Sequence, residues 1–274
     1  MPAPPPTWWT CCVPRASVGE TSTGSRGRAP GAGTSHRVSR VAFFDVDHTL
    51  TTVVGMFRFL EYRLALTGHP PGVFRDHMRH LEALRVTGAP RSETGSLYFS
   101  WYAGADREEL LEQGEEWFRR ELDNGGFFNP WTVRALEEHR NGGDVVVLVS
   151  GSFSPCLDPL ARYLGADVVL CSCPEERAGR LTGRLSVQML GPTKEQAMRH
   201  LLEGLRVSPA RCVSYGDHES DLPMLRLTGE AVVVGGDPVL HAVGRTSGWK
   251  FLPATEAAPP LPLPVGARRI GGRR

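Results

Sequence analysis

Apolar runs and amphipathic segments alternate along most of the chain, which predicts strands separated by helices. Short runs rich in β-branched residues are typical of buried strands, and they occur at 40–45, 144–149, 167–171, 211–215 and 231–234. Helical spacing of apolar residues lies between them, at 130–140, 155–164, 193–205, 222–227 and 238–243, and a hairpin is expected around 180–187. This alternation predicts an α/β fold with a Rossmann-like parallel sheet covered on both faces.

One stretch interrupts the alternation. Segments with helical spacing at 56–66, 73–86, 93–103 and 106–122 follow the first strand with no strand between them, and Asp106 is the expected N-cap of the last. Ligands of open parallel sheets bind at the carboxyl ends of the strands. We therefore expect 55–128 to form an all-helical cap over that edge, inserted between core segments 38–54 and 129–252. A capping box of Thr193 and Gln196 is expected to start a core helix.

The two ends of the chain lack this pattern. Residues 1–37 and 253–274 are rich in Pro and Gly and carry net positive charge, so we expect both to be disordered tails. The body has no apolar run long enough to cross a membrane and no regular cysteine framework, which predicts a cytoplasmic protein. A net charge of +1 argues against specific nucleic-acid binding. The basic tails leave contact with RNA or anionic lipid open, and nothing indicates the oligomeric state.

Two segments place polar residues where predicted strands end. FFDVDHTL puts Asp45 and Asp47 together, and paired carboxylates suit Mg²⁺ or a division between nucleophile and acid. VVVLVSGS carries Ser150 and Gly151 into a turn, where a hydroxyl and backbone N–H groups can hold an oxyanion. Taken alone, each segment is better explained by an ordinary structure, the first by a solvated turn and the second by the N-cap of the following helix.

Two further segments place charged residues at the start of a predicted helix or at the end of a predicted strand. GPTKEQAM puts Lys194 in the first turn of a helix, where a cation opposes the helix dipole unless an anion is present. Only two of the 31 basic residues are lysines, which favours a chemical requirement for this ammonium. VSYGDHESDLPML places Asp217 and Asp221 after a strand with Ser220 between them. These carboxylates fit metal ligands or helix-capping acids.

In this order the four segments resemble the motifs of the haloacid dehalogenase superfamily: DxDxT at 45–49, a strand-terminal serine at 150, a lysine at 194 and GDxxxD at 216–221. The helical insert and the sequence GDHESDLPML are similar to subfamily IB, the phosphoserine phosphatase-like branch. The resemblance implies the fold of that superfamily with a helical cap. It also implies a Mg²⁺-dependent phosphatase that hydrolyses a small phosphorylated metabolite through an aspartyl-phosphate.

The resemblance further implies a role for each motif residue. Asp45 is the expected nucleophile, and Asp47 is the expected acid and base. Phosphate binding falls to Ser150, Gly151, Lys194 and Ser220. The Mg²⁺ ligands are the carboxylates of Asp45 and Asp217 and the backbone carbonyl of Asp47, with Asp221 placed to position Lys194 or a metal-bound water.

Two other functions remain open: a phosphotransferase or mutase of the same fold, and a phosphate-binding module without turnover. Val54 stands where the resemblance implies an acidic ligand for a substrate amine, which argues against phosphoserine as the main substrate. His48 is expected near the entrance. Candidate substrate contacts in the cap are Arg58, Glu61, Tyr62, Arg63, Arg91, Tyr98 and Trp101.

Overall fold

The computed structural model describes residues 38–263, and its centre is a six-stranded parallel sheet. The strands are β1 (Val41–Phe44), β2 (Val145–Ser150), β3 (Val168–Cys171), β6 (Val213–Gly216), β7 (Glu230–Val234) and β8 (Lys250–Leu252). Their order across the sheet is β3-β2-β1-β6-β7-β8, with every pair parallel. Strand β1 is completely buried between β2 and β6. This arrangement confirms the predicted α/β fold.

Helices connect the strands of the sheet. These are α5 (Pro130–Asn141), α6 (Ser154–Leu164), α7 (Pro192–Leu205), α8 (Leu222–Leu227) and α9 (Pro238–Ser247). Short 3₁₀ turns occur at Pro209–Arg211 and Glu219–Asp221. Within residues 38–263, no helix has the length and apolar character needed to cross a membrane.

The stretch after β1 is helical, as predicted. It contains α1 (Gly55–Leu66), α2 (Pro71–Val86), α3 (Arg91–Ser100) and α4 (Arg107–Asn124). Asp106 caps α4 by accepting hydrogen bonds from the N–H groups of Glu108 and Glu109, as expected. Buried aromatic rings join this helical insert to the core: Phe59 of α1 and Phe99 of α3 both make edge contacts with Phe153.

A two-stranded hairpin lies against the helical insert. Strands β4 (Cys173–Arg177) and β5 (Arg180–Val187) are antiparallel, so the predicted range 180–187 covers only the second strand. Backbone hydrogen bonds link the hairpin to the α3–α4 loop, from Gly104 N to Leu181 O at 2.7 Å and from Leu181 N to Ala105 O at 2.9 Å. The helical insert is therefore held by the core at the hairpin as well as at its two connections.

Two local predictions were wrong. Helix α7 begins at Pro192, after Gly191 in a left-handed conformation, and has no side-chain cap, so Thr193 and Gln196 form no capping box. Proline at the first helical position has a preset φ and no N–H to satisfy, which favours the earlier start. Strand β8 was missed because it has only three residues and two of them are exposed.

The segment after β8 also differs from its prediction. Residues 253–263 were expected to be disordered, but Ala258 and Leu261 are buried. The Pro-rich sequence of this segment forms neither helix nor strand, and its hydrogen bonds go to Asn129 and Thr52 in neighbouring parts of the chain. The predicted tails at 1–37 and 264–274 lie outside the described residues.

Candidate active site

The carboxyl edge of the sheet brings the four polar segments together. Asp45 directly follows β1, Ser150 ends β2 and Gly216 ends β6. Because β2 and β6 flank β1 in a parallel sheet, the residues that follow these strands emerge side by side. Lys194, in the first turn of α7, completes the group.

Lys194 bridges two buried carboxylates. Its Nζ lies 2.5 Å from Asp45 Oδ1 and 2.7 Å from Asp221 Oδ1. All three side chains are less than 10% exposed. Burial would lower the pKa of Lys194, but the Asp221 and Asp45 carboxylates outweigh it and hold that pKa above its usual value. The ammonium therefore stays charged at any physiological pH.

Asp45 is held in a strongly negative environment. Burial raises its pKa above the usual value, Lys194 opposes that rise, and the Asp221 carboxylate adds to it. One ammonium thus has to balance at least two carboxylates in a space largely closed to water. Such a site favours the approach of further positive charge.

Asp217 lies beside this pair and completes a candidate metal site. One carboxylate oxygen from each of Asp45, Asp217 and Asp221 lies within 4.8 Å of the other two. Thr49 Oγ1 donates to Asp217 Oδ1 at 3.0 Å and orients it. Burial, followed by the charges of Asp45 and Asp221, raises the pKa of Asp217 to about 9. The donor set is all oxygen and short of positive charge, which fits a hard divalent cation such as Mg²⁺.

Asp47 is hydrogen-bonded to the helical insert. Its Oδ1 accepts a 2.8 Å hydrogen bond from the backbone N–H of Gly55, the first residue of α1. Burial, and next the Asp45 charge, raise the pKa of Asp47 to about 7. A carboxyl group with that pKa can both hold and release a proton near neutral pH.

Ser150 and Gly151 form the turn after β2. Ser150 is buried and its Oγ accepts a 3.1 Å hydrogen bond from Ser152 N, which leaves the hydroxyl hydrogen for another acceptor. A Cβ on Gly151 would lie 2.9 Å from Leu190 Cδ2, so any larger residue here would have to displace the end of that side chain. The turn therefore presents a hydroxyl and backbone at the carboxyl edge, as the sequence predicted.

Ser220 contacts the helical insert. Arg91, the first residue of α3, donates from Nη1 to Ser220 Oγ at 3.0 Å and to His218 Nδ1 at 3.1 Å. Arg91 also opposes the rise in the pKa of Asp47, which shows that its charge acts at the site. Among the described residues, Arg91 is thus the candidate cap residue that reaches the motif loops.

The other candidate cap residues make most of their contacts within the helical insert, although Tyr98 also lies near Asp47, since burial and, to a smaller extent, the Asp47 charge raise the pKa of Tyr98. Arg58 pairs with Glu121, Tyr98 is buried against Tyr102, and Trp101 stacks on His77. Tyr62 is buried and packs against Arg120, and the Arg63 guanidinium lies over the Tyr102 ring.

Three contributors were missed from the sequence: the Gly55 N–H, the Thr49 hydroxyl and the His218 ring. Thr49 belongs to the DxDxT motif, but only the folded structure shows that its hydroxyl donates a hydrogen bond to Asp217. His48 is exposed, in agreement with a place near the entrance, and has a left-handed φ of 60° that no sequence signal indicated.

Comparison with known proteins agrees with this geometry. Residues 42–226 match the family described as haloacid dehalogenase-like hydrolase. A putative hydrolase of Mycobacterium leprae is 30% identical over 227 residues, which cover 78% of this chain and 72% of that protein. A phosphoserine phosphatase of Mycobacterium tuberculosis is 30% identical over 229 residues, covering 78% and 70%.

Another relative matches over a shorter stretch. The inhibition of morphological differentiation protein of Streptomyces azureus is 35% identical over 118 residues, and the match spans only 43% of each chain. Among solved structures, a protein of unknown function from Bordetella pertussis has a TM-score of 0.70 at 24% identity, covering 78% of this chain and 98% of its own.

A phospho-aspartyl intermediate analogue of phosphoserine phosphatase has a TM-score of 0.57 at 17% identity, covering 80% and 95%. These structures share the fold, while the family match and the two mycobacterial relatives span most of the chain. The chain therefore belongs to the haloacid dehalogenase-like hydrolases and is phosphoserine phosphatase-like in sequence and fold.

Proposed function

We propose that this hydrolase is a phosphatase that cleaves the phosphomonoester of a small metabolite, with Asp45 as nucleophile. The observation that carries the proposal is the contact of Lys194 Nζ with Asp45 Oδ1 and Asp221 Oδ1, at 2.5 and 2.7 Å. A charged ammonium on the nucleophile favours the ionised form of Asp45 against the effect of burial, and it attracts the phosphoryl oxygens. Phosphoryl transfer depends mainly on such positioning and charge neutralisation.

The reaction then runs in two steps on this chain's own residues. One carboxylate oxygen of Asp45 attacks phosphorus, and the ester oxygen leaves with a proton from Asp47. Asp47, now a carboxylate, takes a proton from the water that attacks the aspartyl-phosphate, which returns Asp45 and releases inorganic phosphate. The pKa of about 7 supports both proton transfers near neutral pH.

The acidic cluster supports a requirement for Mg²⁺. Asp45 and Asp217 would hold the ion, together with the Asp47 backbone carbonyl that the family resemblance implies. Bound there, the ion supplies charge neutralisation for the phosphoryl group. Asp221 contacts Lys194 at 2.7 Å and belongs to the same cluster, so we propose that it positions the ammonium or a metal-bound water.

The phosphate-binding side is proposed to include the Ser150 hydroxyl and the Gly151 backbone. Ser220 is proposed to contribute a further hydroxyl, although Arg91 now occupies it at 3.0 Å. An anion on the leaving group of an entering substrate would compete for that arginine, so we infer that Arg91 and Ser220 separate when substrate binds.

The leaving-group side carries an apolar residue and a cation. Val54 precedes Gly55 and cannot bind a substrate amine, whereas Arg91 is exposed at the same edge and donates to His218 and Ser220 rather than to a carboxylate. We propose that the leaving group carries an anionic substituent and no obligatory amine. Phosphoserine carries both a carboxylate and an amine. It should then be a weaker substrate than the analogue that has the same carbon chain and carboxylate but lacks the amine.

The test is hydrolysis of 4-nitrophenyl phosphate by the purified full chain, with and without Mg²⁺, beside Asp45→Asn. Metal-dependent turnover that disappears in the variant is the expected result. Release of phosphate to an added alcohol in preference to water would instead indicate a phosphotransferase. A folded protein that binds Mg²⁺ and phosphate but turns over no phosphomonoester would be a binding module.

A further inference from the structure

The segment after β8 crosses the two connections between the core and the helical insert. These connections are residues 51–54 and 125–129, and they pair with each other, since Thr51 bridges Phe128 and Thr52 N donates to Phe127 O at 2.9 Å. Any motion of the helical insert relative to the sheet has to bend these two connections. It also has to carry the hairpin along or break the hydrogen bonds between the hairpin and the insert.

Residues 253–263 bind both connections. Ala258 N donates to Thr52 Oγ1 at 3.0 Å, and that hydroxyl donates to Gly126 O at 2.8 Å. Asn129 Nδ2 donates to Pro253 O at 3.2 Å, and Thr255 Oγ1 donates to Asn129 Oδ1 at 3.0 Å.

The same segment also reaches the helices of the insert. Asn124 Nδ2, at the end of α4, donates to Pro259 O at 2.9 Å. Arg58 Nη1, on α1, lies 3.4 Å from Ala258 O. Contacts on both connections and on two helices make this segment more than a passive covering of the surface.

A line of contacts leads from Arg58 to the proposed acid. Arg58 forms a two-bonded ion pair with Glu121, at 2.9 and 2.6 Å, and Glu121 is fully buried. Trp117 Nε1 donates to Glu121 Oε1 at 3.0 Å. The Trp117 ring packs against Gly55, where an added Cβ would lie 3.4 Å from Cη2.

Gly55 is the residue whose N–H binds Asp47 Oδ1 at 2.8 Å. The orientation of the Asp47 carboxyl thus depends on where α1 begins, and the start of α1 rests on Trp117. An acid that must meet the ester oxygen within hydrogen-bond reach is sensitive to small displacements of this kind.

We propose that residues 253–263 form a strap that fixes the start of α1 and so positions Asp47 for proton transfer. Arg58, Glu121 and Trp117 are positioning residues that carry this effect. The catalytic part of the inference rests on the proposed phosphatase function, whereas the mechanical part, restraint of the two connections, does not.

The test compares Ala258→Glu with Ala257→Glu in the full chain. Ala258 is buried against Gly126, so a glutamate there displaces the strap, whereas Ala257 is exposed and gives the same change in charge. Hydrogen exchange in residues 51–54 and 125–129 should increase at least about tenfold in Ala258→Glu and stay unchanged in Ala257→Glu. Equal exchange in the two variants would overturn the strap.

The catalytic arm uses phenyl phosphate and 4-nitrophenyl phosphate. Nitrophenolate leaves readily without a proton, whereas phenolate needs the acid, so loss of positioning should be selective. The comparison uses kcat/KM, which reports the step in which the leaving group departs, because hydrolysis of the aspartyl-phosphate is common to both esters. In Ala258→Glu, kcat/KM for phenyl phosphate should fall about tenfold and kcat/KM for 4-nitrophenyl phosphate by less than about threefold. An equal fall for both substrates, or none, would overturn the link to Asp47.

Thr52→Val replaces Ala258→Glu if that variant does not fold, because valine keeps the shape and removes only the hydroxyl that joins strap and connection. Thr52→Val should change hydrogen exchange and the turnover of the two esters in the same directions as Ala258→Glu, by smaller factors. Absence of turnover in the unmodified protein would refute the proposed function, while hydrogen exchange, measured without substrate, still decides whether the strap exists.

Discussion

The carboxyl group of Asp47 is hydrogen-bonded to the N–H of Gly55 at 2.8 Å, which ties the proposed acid to the first residue of the helical insert. The partial positive charge of a helix N-terminus favours the carboxylate, while burial favours the protonated acid. Burial prevails, and the pKa of Asp47 rises to about 7. The helical insert therefore contributes directly to the chemistry at the edge of the sheet.

Replacement of Asp47 by Asn should remove proton transfer with little change in shape. We expect kcat/KM for phenyl phosphate to fall by about 10²–10⁴-fold and kcat/KM for 4-nitrophenyl phosphate to fall less, since kcat/KM reports the step in which the leaving group departs. In the unmodified protein, turnover of phenyl phosphate should decline as pH rises above about 7, because the acid loses its proton. Steady-state rates across pH check both expectations, and equal losses on the two esters would contradict the assignment.

The acidic cluster predicts how stability depends on pH and metal. The pKa of Asp217 is raised from 3.8 to about 9 in the folded protein, so between those values the folded state binds more protons than the unfolded state. Stability without metal should therefore fall as pH rises through this window. Because Mg²⁺ replaces those protons, the increase in Tm that it causes should be larger at pH 8 than at pH 5.

Thermal unfolding with Mg²⁺ and with a chelator checks this expectation. Asp217→Asn should raise the Tm of the metal-free protein at pH 8 and abolish most of the response to Mg²⁺. Asp123→Asn is the matched control, because that carboxylate is exposed on α4 and its loss should leave the response intact. A full response to Mg²⁺ in Asp217→Asn would show that the ion binds elsewhere.

The chain contains two lysines, and they provide an internal comparison. Lys194→Met leaves Asp45 and Asp221 buried without their cation, which should abolish turnover and lower the free energy of unfolding by about 3 kcal/mol. Lys250→Met breaks an exposed ion pair with Glu230 and should change the free energy of unfolding by less than about 1 kcal/mol. Denaturant unfolding and phosphatase assays on both variants check these expectations. Similar losses of stability and turnover in the two variants would contradict a special role for Lys194.

The sheet and its catalytic edge were predictable because their physical signals are local. Buried strands such as Val145–Ser150 are continuous apolar runs, and the polar residues directly after them must appear at one edge of a parallel sheet. The motif residues Asp45, Ser150 and Asp217 could thus be grouped before any distance was known. Their roles in the reaction remain proposals.

What the sequence did not indicate depends on long-range packing. The contact between Arg91 and Ser220 joins residues 129 positions apart, and no periodicity connects α3 with the turn after β6. The segment 253–263 has the composition of a disordered tail, yet its hydrogen bonds to Thr52 and Asn129 order it. Composition measures how much apolar surface a segment can bury and gives no account of polar partners elsewhere in the fold.

Close packing between α4 and α6 gives a prediction about stability. A Cβ on Gly114 would lie 2.0 Å from the backbone oxygen of Pro155, so Gly114→Ala has to push the two helices apart. We expect it to cost about 2–3 kcal/mol. Gly204→Ala, in helix α7 with open space around it, should instead add about 0.5–1 kcal/mol. Opposite shifts in Tm confirm the packing, and a neutral Gly114→Ala would contradict it.

Arg91 gives the prediction that bears on substrate choice. Its guanidinium is exposed and donates to the side chains of His218 and Ser220 rather than to a carboxylate, so it can exchange them for an anion on the leaving group. Arg91→Ala should therefore lower kcat/KM for 4-carboxyphenyl phosphate by about ten- to a hundredfold, the range expected for a charge-assisted hydrogen bond.

The same substitution should change kcat/KM for uncharged phenyl phosphate by less than about threefold, because that ester offers no anion beyond its phosphate. Arg85→Ala is the matched control, since Arg85 is an exposed residue of α2 paired with Glu82. Equal losses on the two esters would assign Arg91 to the phosphate, and no loss on either would remove it from the site. A selective loss would make the helical insert the part of this enzyme that chooses its leaving group by charge.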